Sequence, residues 1–153
     1  MTSDGYKQVT GGWQHPDGRF VPLAVAKLHK FDLAKYPPDQ SDPLGKDPHE
    51  PGAKLDAGKV RMGLLNVDFA KALLEVARVS TYGAEKYTDS GWRDVPDGIK
   101  RYFDAEYRHN NAVHRGETVD QESGLLHLAH AAWNALAVLE LALTQEQEAG
   151  RHV

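Results

Sequence analysis

The sequence predicts an all-α fold: a helical bundle completed by oligomerisation and preceded by an irregular N-terminal arm. Three observations predict it. Apolar residues recur at helical spacing through residues 66–143, with only short turn-rich joins between the periodic segments. The last of these segments, Leu125 to Leu143, is apolar around its whole circumference, which suits the middle of a bundle and not its surface. Residues 1–53, in contrast, hold most of the prolines and many turn-forming pairs.

In chain order, HPDG (His15–Gly18) between Trp13 and Phe20 has hairpin-turn chemistry. The stretch PLAVAKLHKFDLAKY has helical character from Pro22 to Tyr36, where Pro37-Pro38 ends it. YPPDQSDPLGKDPHEP then reads as a loop or wrapping arm, so residues 1–53 form a hairpin/loop arm and residues 54–153 the helical domain. Asn66 or Asp68 can cap a helix through FAKALLEVARVSTYG, with Phe69, Leu73, Val76 and Ala77 on one face and Gly83 as its stop. After a loop with turn chemistry at Asp97-Gly98, a second helix is expected from about Ile99 to Arg115, terminated by Gly116. A third is expected to start near Asp120–Ser123 and to run to about Leu143.

Composition excludes several function classes. With 153 residues, 41% of them hydrophobic and 26% charged, the chain has the make-up of a globular domain with its own core. No stretch reaches the roughly 18–20 uninterrupted apolar residues of a membrane span. MTSDGYKQVTGG has neither the basic flank nor the apolar run of a signal peptide, so a cytoplasmic location is expected, the host cytoplasm if the chain is phage-encoded. The absence of cysteine rules out disulfides, thiolate metal sites and cysteine catalysis. A net charge of −4 argues against stable nucleic-acid binding, which needs a basic surface.

The most apolar segment carries the most chemistry. His127, His130 and Asn134 stand at i, i+3 and i+7 on one side of it, and Asp120 and Glu122 lie just before. A single buried histidine is usually satisfied by ordinary hydrogen bonds, but two histidines and an asparagine in one stripe call for shared partners such as a metal, carboxylates or a polar ligand. The preceding helix offers them in RYFDAEYRHNN, where Glu106 and His109 form an E-x-x-H pair on one face and Asp104 and Arg108 occupy another stripe. One chain covers the apolar helix poorly, so a homo-oligomer, dimer or tetramer, is expected.

Taken together, KLDAGKVRMGLL, YGAEKY with GW, RYFDAEYRH, GETVD, ESGLLHLAH and the following Asn134 resemble the phage-type dATP/dGTP diphosphohydrolases, a MazG-like branch of the all-α nucleoside triphosphate pyrophosphohydrolases. The likeness covers about residues 54–143. It implies an oligomeric helical bundle that hydrolyses a purine (d)NTP, dGTP or GTP above all, to (d)NMP and pyrophosphate with two or three Mg²⁺ or Mn²⁺ ions, in phages serving modified-purine nucleotide metabolism. The wider superfamily holds its metals with E-x-x-E and E-x-x-D. Here Glu106 stands at the first glutamate, His109 at the second, and His127 and His130 at the later acidic pair, with Asp120 and Glu122 as further carboxylates.

The resemblance thus makes Glu106 and Glu122 the catalytic candidates and Glu106, His109, Asp120, Glu122, His127 and His130 the metal candidates. Lys54, Lys59, Arg61, Lys86 and Arg108 are candidates for the phosphates, Tyr87 and Trp92 for stacking on the base, and Asn134 for a further substrate contact. Two other classes compete. A non-hydrolytic metal-binding or di-iron bundle would need two E-x-x-H motifs, and one is present. An HD-type triphosphohydrolase would need a His-Asp pair, and the chain has none.

Overall fold

The computed structural model describes residues 7–9, 12–14, 20–22 and 41–150, with backbone alone given for the three short strands and for 146–150. The chain divides into two compact units, residues 30–70 and the segments on either side of them. The expected arm–domain boundary at 53/54 therefore falls inside the first of these units. The helix expected over 22–36 lies outside the described residues apart from Pro22, which ends a strand.

In the 30–70 unit the described chain begins as turns built around Asp42. Its carboxylate accepts from the backbone N–H of Leu44 at 2.7 Å and of Lys54 at 2.6 Å, so one buried side chain closes a twelve-residue excursion. The Lys54 hydrogen bond, followed by that from Leu44, holds the Asp42 carboxyl below the usual range. A short helix, α1 (Met62–Asp68), follows. It buries none of its residues, and Met62, Leu64, Leu65 and Val67 are all exposed.

The other unit holds an antiparallel sheet in the order β1 (Lys7–Val9), β2 (Gly12–Gln14), β3 (Phe20–Pro22). β2 and β3 pair Trp13 with Val21 and Gln14 with Phe20, on either side of the HPDG segment. Among its described residues three helices follow: α2 (Ala70–Lys86), α3 (Gly98–His114) and α4 (His127–Gly150), with a 3₁₀ turn over Gly91–Asp94. The all-α class expected from the periodicity is what the structure shows, with this small sheet added.

Element ends differ from expectation for local reasons. Gly83 lies inside α2, which continues to Lys86, and Asn66 and Asp68 belong to α1. α3 ends as expected: Arg115 N–H bonds back to Asn111 and Ala112 carbonyls, and Gly116 takes a left-handed φ of 88°. The third helix starts at His127 and not at Asp120–Ser123. Asp120 Oδ1 captures both the backbone N–H and the hydroxyl of Ser123, each at 2.9 Å, and Gly124 turns left-handed, so side-chain bonds outcompete the helix there.

α3 and α4 pack along their length around Ile99, Val138 and Ala142, flanked by Tyr102, Phe103 and Leu141. Their close approach explains Gly98, where a Cβ would stand 3.0 Å from Leu141 Cδ1. Trp92, Tyr102 and Trp133 meet edge to face at 5.6–6.2 Å, and Trp133 Nε1 donates to Ser80 Oγ at 2.7 Å, which ties α2 to α4.

Candidate metal centre

The α3–α4 pair brings His109, from the fourth turn of α3, against His127 and His130 on the first two turns of α4. The segment between the helices returns on itself through an isolated bridge between Val119 and Leu126 and a hydrogen bond from His127 N–H to Thr118 C=O. That return places Asp120 beside the imidazoles. His109, Asp120 and His127 each offer one ligand atom, and these atoms lie within 4.8 Å of one another. His127 and His130 are buried, at 5% and 9% exposure.

Hydrogen bonds fix most of these groups. His109 Nδ1 and His127 Nδ1 meet at 2.8 Å. His130 stacks on His109 at 4.5 Å with the rings 10° from parallel, and its Nε2 meets Ser123 Oγ at 2.8 Å. Ser123 therefore joins His130 to Asp120. One polar atom is left over: His127 Nε2 is buried without a hydrogen-bond partner, with Glu117 Oε2 the neighbouring carboxylate at 3.7 Å. Leaving such an atom unpaired costs about 1–3 kcal/mol.

Electrostatics suit a cation. Burial, then the neighbouring His130 and His127, push the His109 imidazole down to about 4, so at neutral pH its lone pair is available. Burial also lowers His130. For Asp120 burial pushes upward, but the Ser123 hydrogen bonds and the adjacent His130 and His109 outweigh it and keep the carboxyl ionised below its ordinary range. Two imidazoles beside a carboxylate are a competent donor set for a divalent ion.

The other sequence candidates fall elsewhere. Glu106 is half-buried one turn before His109 and lies outside the three-residue cluster. Glu122 is tied to Lys86 Nζ and accepts from Tyr82 OH at 3.2 Å. The Lys86 hydrogen bond lowers the Glu122 carboxyl, and Glu122 in turn raises the Lys86 ammonium. Asn134 is buried, and its amide donates to His130 C=O at 2.8 Å within α4. Trp92 carries Arg93 over its face at 4.5 Å and packs on Tyr102, whereas Tyr87 is exposed beside Lys86. Arg108 is exposed, and Asp104 pairs with Lys100 at 3.3 Å. Lys54, which pairs with Asp56, Lys59 and Arg61 belong to the 30–70 unit.

An open groove of about 280 Å³ adjoins Ser123, walled by Leu74, Ala77 and Leu125 and edged by Arg78, Tyr82 and Glu85. Ser123, Glu117 and Tyr82 are the site residues that sequence reasoning missed. D-x-x-S at Asp120–Ser123 was the available signal for the first, since Asp readily accepts from the backbone three residues on. Tyr82, one turn before Lys86, stands at the head of the YGAEKY motif and had that position to mark it.

Residues 49–151 match the family described as dATP/dGTP diphosphohydrolase, N-terminal. The chain is also 38% identical over 81 residues to a protein of Salmonella phage PMBT28 named dATP/dGTP diphosphohydrolase; the match covers 53% of this chain and 26% of that relative, so it spans about a quarter of the relative's length. No solved structure matches. Among the described residues no helix is long and apolar enough to cross a membrane.

Proposed function

The chain belongs to the dATP/dGTP diphosphohydrolase N-terminal family, and on that premise we propose that it hydrolyses a purine (d)NTP, dGTP or GTP above all, to (d)NMP and pyrophosphate. The observation that carries this reading is the His109–Asp120–His127 cluster, with His127 buried and the other two half-buried, which lies inside the matched residues. In the reaction water attacks the α-phosphorus, a new P–O bond forms, and the bond to the α,β-bridging oxygen breaks, so that pyrophosphate leaves with the electron pair. A bound divalent ion supplies charge neutralisation and a more acidic water.

The chain's own residues do the rest. His109, Asp120 and His127 would hold a divalent ion, and further Mg²⁺ or Mn²⁺ ions, two or three in all, would add charge neutralisation for the triphosphate. Glu106 has no ion-pair partner among the described residues and shares the α3 face of His109, so it takes the proton from the attacking water. Glu122 holds Lys86 toward the phosphates, and the exposed Tyr87 ring, approached on one face by Lys86 Nζ at 5.4 Å, offers the base its other face. A substrate in the groove beside Ser123 would have Arg78 within its edge and apolar side chains along its wall.

Assembly is part of the same proposal. Leu128, Leu136, Leu139 and Leu143 lie on the outer face of α4 at 62%, 51%, 43% and 41% exposure, and we infer that a second copy covers them in a homodimer or homotetramer. Purified protein incubated with Mn²⁺ or Mg²⁺ and each (d)NTP, with products separated by chromatography, tests the reaction. Monophosphate and pyrophosphate from purine substrates are expected. Nucleoside with intact triphosphate would mean the HD-type reaction, and no turnover with tight metal retention would mean a metal-binding bundle.

A further inference from the structure

We propose that the His109–Asp120–His127 cluster is a site for one first-row transition ion, in the Mn²⁺–Co²⁺–Zn²⁺ group, which it selects over Mg²⁺, and that Ser123 and His130 position its carboxylate ligand. The proposal rests on the metal-dependent reading above and names the metal class of that site. Its first ground is the donor set, two imidazoles and one carboxylate. Mg²⁺ demands oxygen ligands in near-ideal octahedral geometry and parts reluctantly with water, whereas imidazole nitrogen suits the transition series. Glu106 and Glu122 would have made an oxygen-rich site, and both stand outside the cluster, the latter held by Lys86 and Tyr82.

A second ground is spacing. Two imidazole nitrogens bound to one ion at ~2.1 Å stand roughly 3.0–3.4 Å apart, according to whether the ion is octahedral or tetrahedral. His109 Nδ1 and His127 Nδ1 stand 2.8 Å apart, a few tenths of an ångström from that range. An N–H···N bond between the two rings would account for this contact alone. Under either arrangement His127 Nε2 is buried and needs a partner. A ligating histidine typically donates its other ring N–H to a carboxylate, and Glu117 Oε2 is 3.7 Å from that nitrogen, with Arg115 holding Glu117 on its far side. The orphaned atom thus has the partner that metal-bound histidine requires, one small adjustment away.

The third ground is the support behind Asp120. Ser123 gives Asp120 Oδ1 two hydrogen bonds, from its backbone N–H and its hydroxyl, and His130 Nε2 meets the same hydroxyl. His130 therefore acts through Ser123, as a positioning residue. The stacking of its ring on His109 orients the imidazole of one ligand while its nitrogen helps orient the carboxylate of another.

The test uses the untagged full chain, stripped by a chelator and titrated with Co²⁺ in the absence of nucleotide, following visible absorption and the metal retained after dialysis. One Co²⁺ per chain is expected, retained against a 100-fold excess of Mg²⁺. His109→Ala and His127→Ala should each weaken retention by 100-fold or more, and Ser123→Ala by about tenfold, in the range of second-sphere substitutions. Circular dichroism checks that each variant is folded, and the Mg²⁺ competition on the unsubstituted chain needs no variant. Displacement of Co²⁺ by equimolar Mg²⁺, or unchanged retention in folded His109→Ala, would overturn the assignment. Stoichiometric, histidine-dependent Co²⁺ without any (d)NTP hydrolysis would support it while removing the hydrolase reading. Hydrolysis with Mg²⁺ alone and no retained Co²⁺ would do the reverse.

Discussion

The two faces of α4 reverse the usual order of a helix in a single-chain protein. Its inner face is polar and small, with His127, His130 and Asn134 buried beside Ala131, Ala137, Val138 and Ala142. Its outer face carries Leu128, Leu136, Leu139 and Leu143, each at least 41% exposed. Small residues inside let α3 approach closely enough for His109 to reach His127 and His130. Large ones outside leave much of their apolar surface in water within one chain, which is the surface the proposed second copy would cover. On the proposed reading the helix is divided between a site on one side and an assembly surface on the other.

The largest expected effect breaks the outer face. In a two-fold interface each substitution is introduced twice, and each leucine removed from water contributes about 1.5–3 kcal/mol. Leu139→Glu should then weaken self-association by roughly 10²–10⁴-fold, before any cost of the buried charge. Light scattering across a concentration series reads this directly. A stable oligomer in Leu139→Glu, or a monomer in the unsubstituted chain, would show that the outer leucines do not meet a second copy.

The inner face should respond through chemistry. His109→Ala removes a cluster member from a half-buried position without deleting a core leucine or valine, so turnover should fall by roughly 100-fold or more, equivalent to about 2.7 kcal/mol of transition-state stabilisation, with helical circular dichroism retained. Activity measured at saturating Mn²⁺ checks it. Near-normal turnover with a lowered Tm would reassign the histidines to core hydrogen bonding.

This division was partly legible in the sequence. Helical periodicity located α2 and α3 and the all-α class, and the i, i+3, i+7 stripe put His127, His130 and Asn134 on one side. Two things were beyond periodicity. Asp120 and Ser123 looked like a first helical turn because both are good caps, yet their mutual hydrogen bonds make the return that aims Asp120 at the histidines. Glu106 and Glu122 looked equivalent to Asp120 as ligands, because a sequence shows which carboxylates exist and not which cation each one meets. Lys86 meets Glu122 from another helix, thirty-six residues away.

A smaller effect concerns the flank between the two faces, where Trp133 is anchored to α2 by Ser80. Ser80→Ala removes one hydrogen bond and leaves the indole stacked edge to face on Trp92 and Tyr102. A loss of about 1 kcal/mol is expected, and a fall in Tm of roughly 2–4 °C for a chain of this size. Scanning calorimetry at fixed protein concentration checks it, since assembly itself shifts Tm. Turnover per folded chain should stay unchanged, which separates the flank from the inner face.

The smallest effect sharpens the inner boundary of the site. Glu122 is exposed and bonded to Lys86 and Tyr82, so the proposed reading has its charge act on Lys86. Glu122→Gln keeps an acceptor for both partners but removes the charge that holds the ammonium in place. Exposed ion pairs are weak, so KM for the triphosphate should rise only by about fivefold at moderate salt, with kcat and metal retention unchanged. Adding salt should shrink the difference between the two proteins, because screening weakens the pair in the unsubstituted chain as well. Steady-state kinetics at two ionic strengths, together with Co²⁺ retention, decide the matter. A collapse of kcat accompanied by lost metal would move Glu122 into the cluster, and the polar side of α4 would then extend through the return into the groove beside α2.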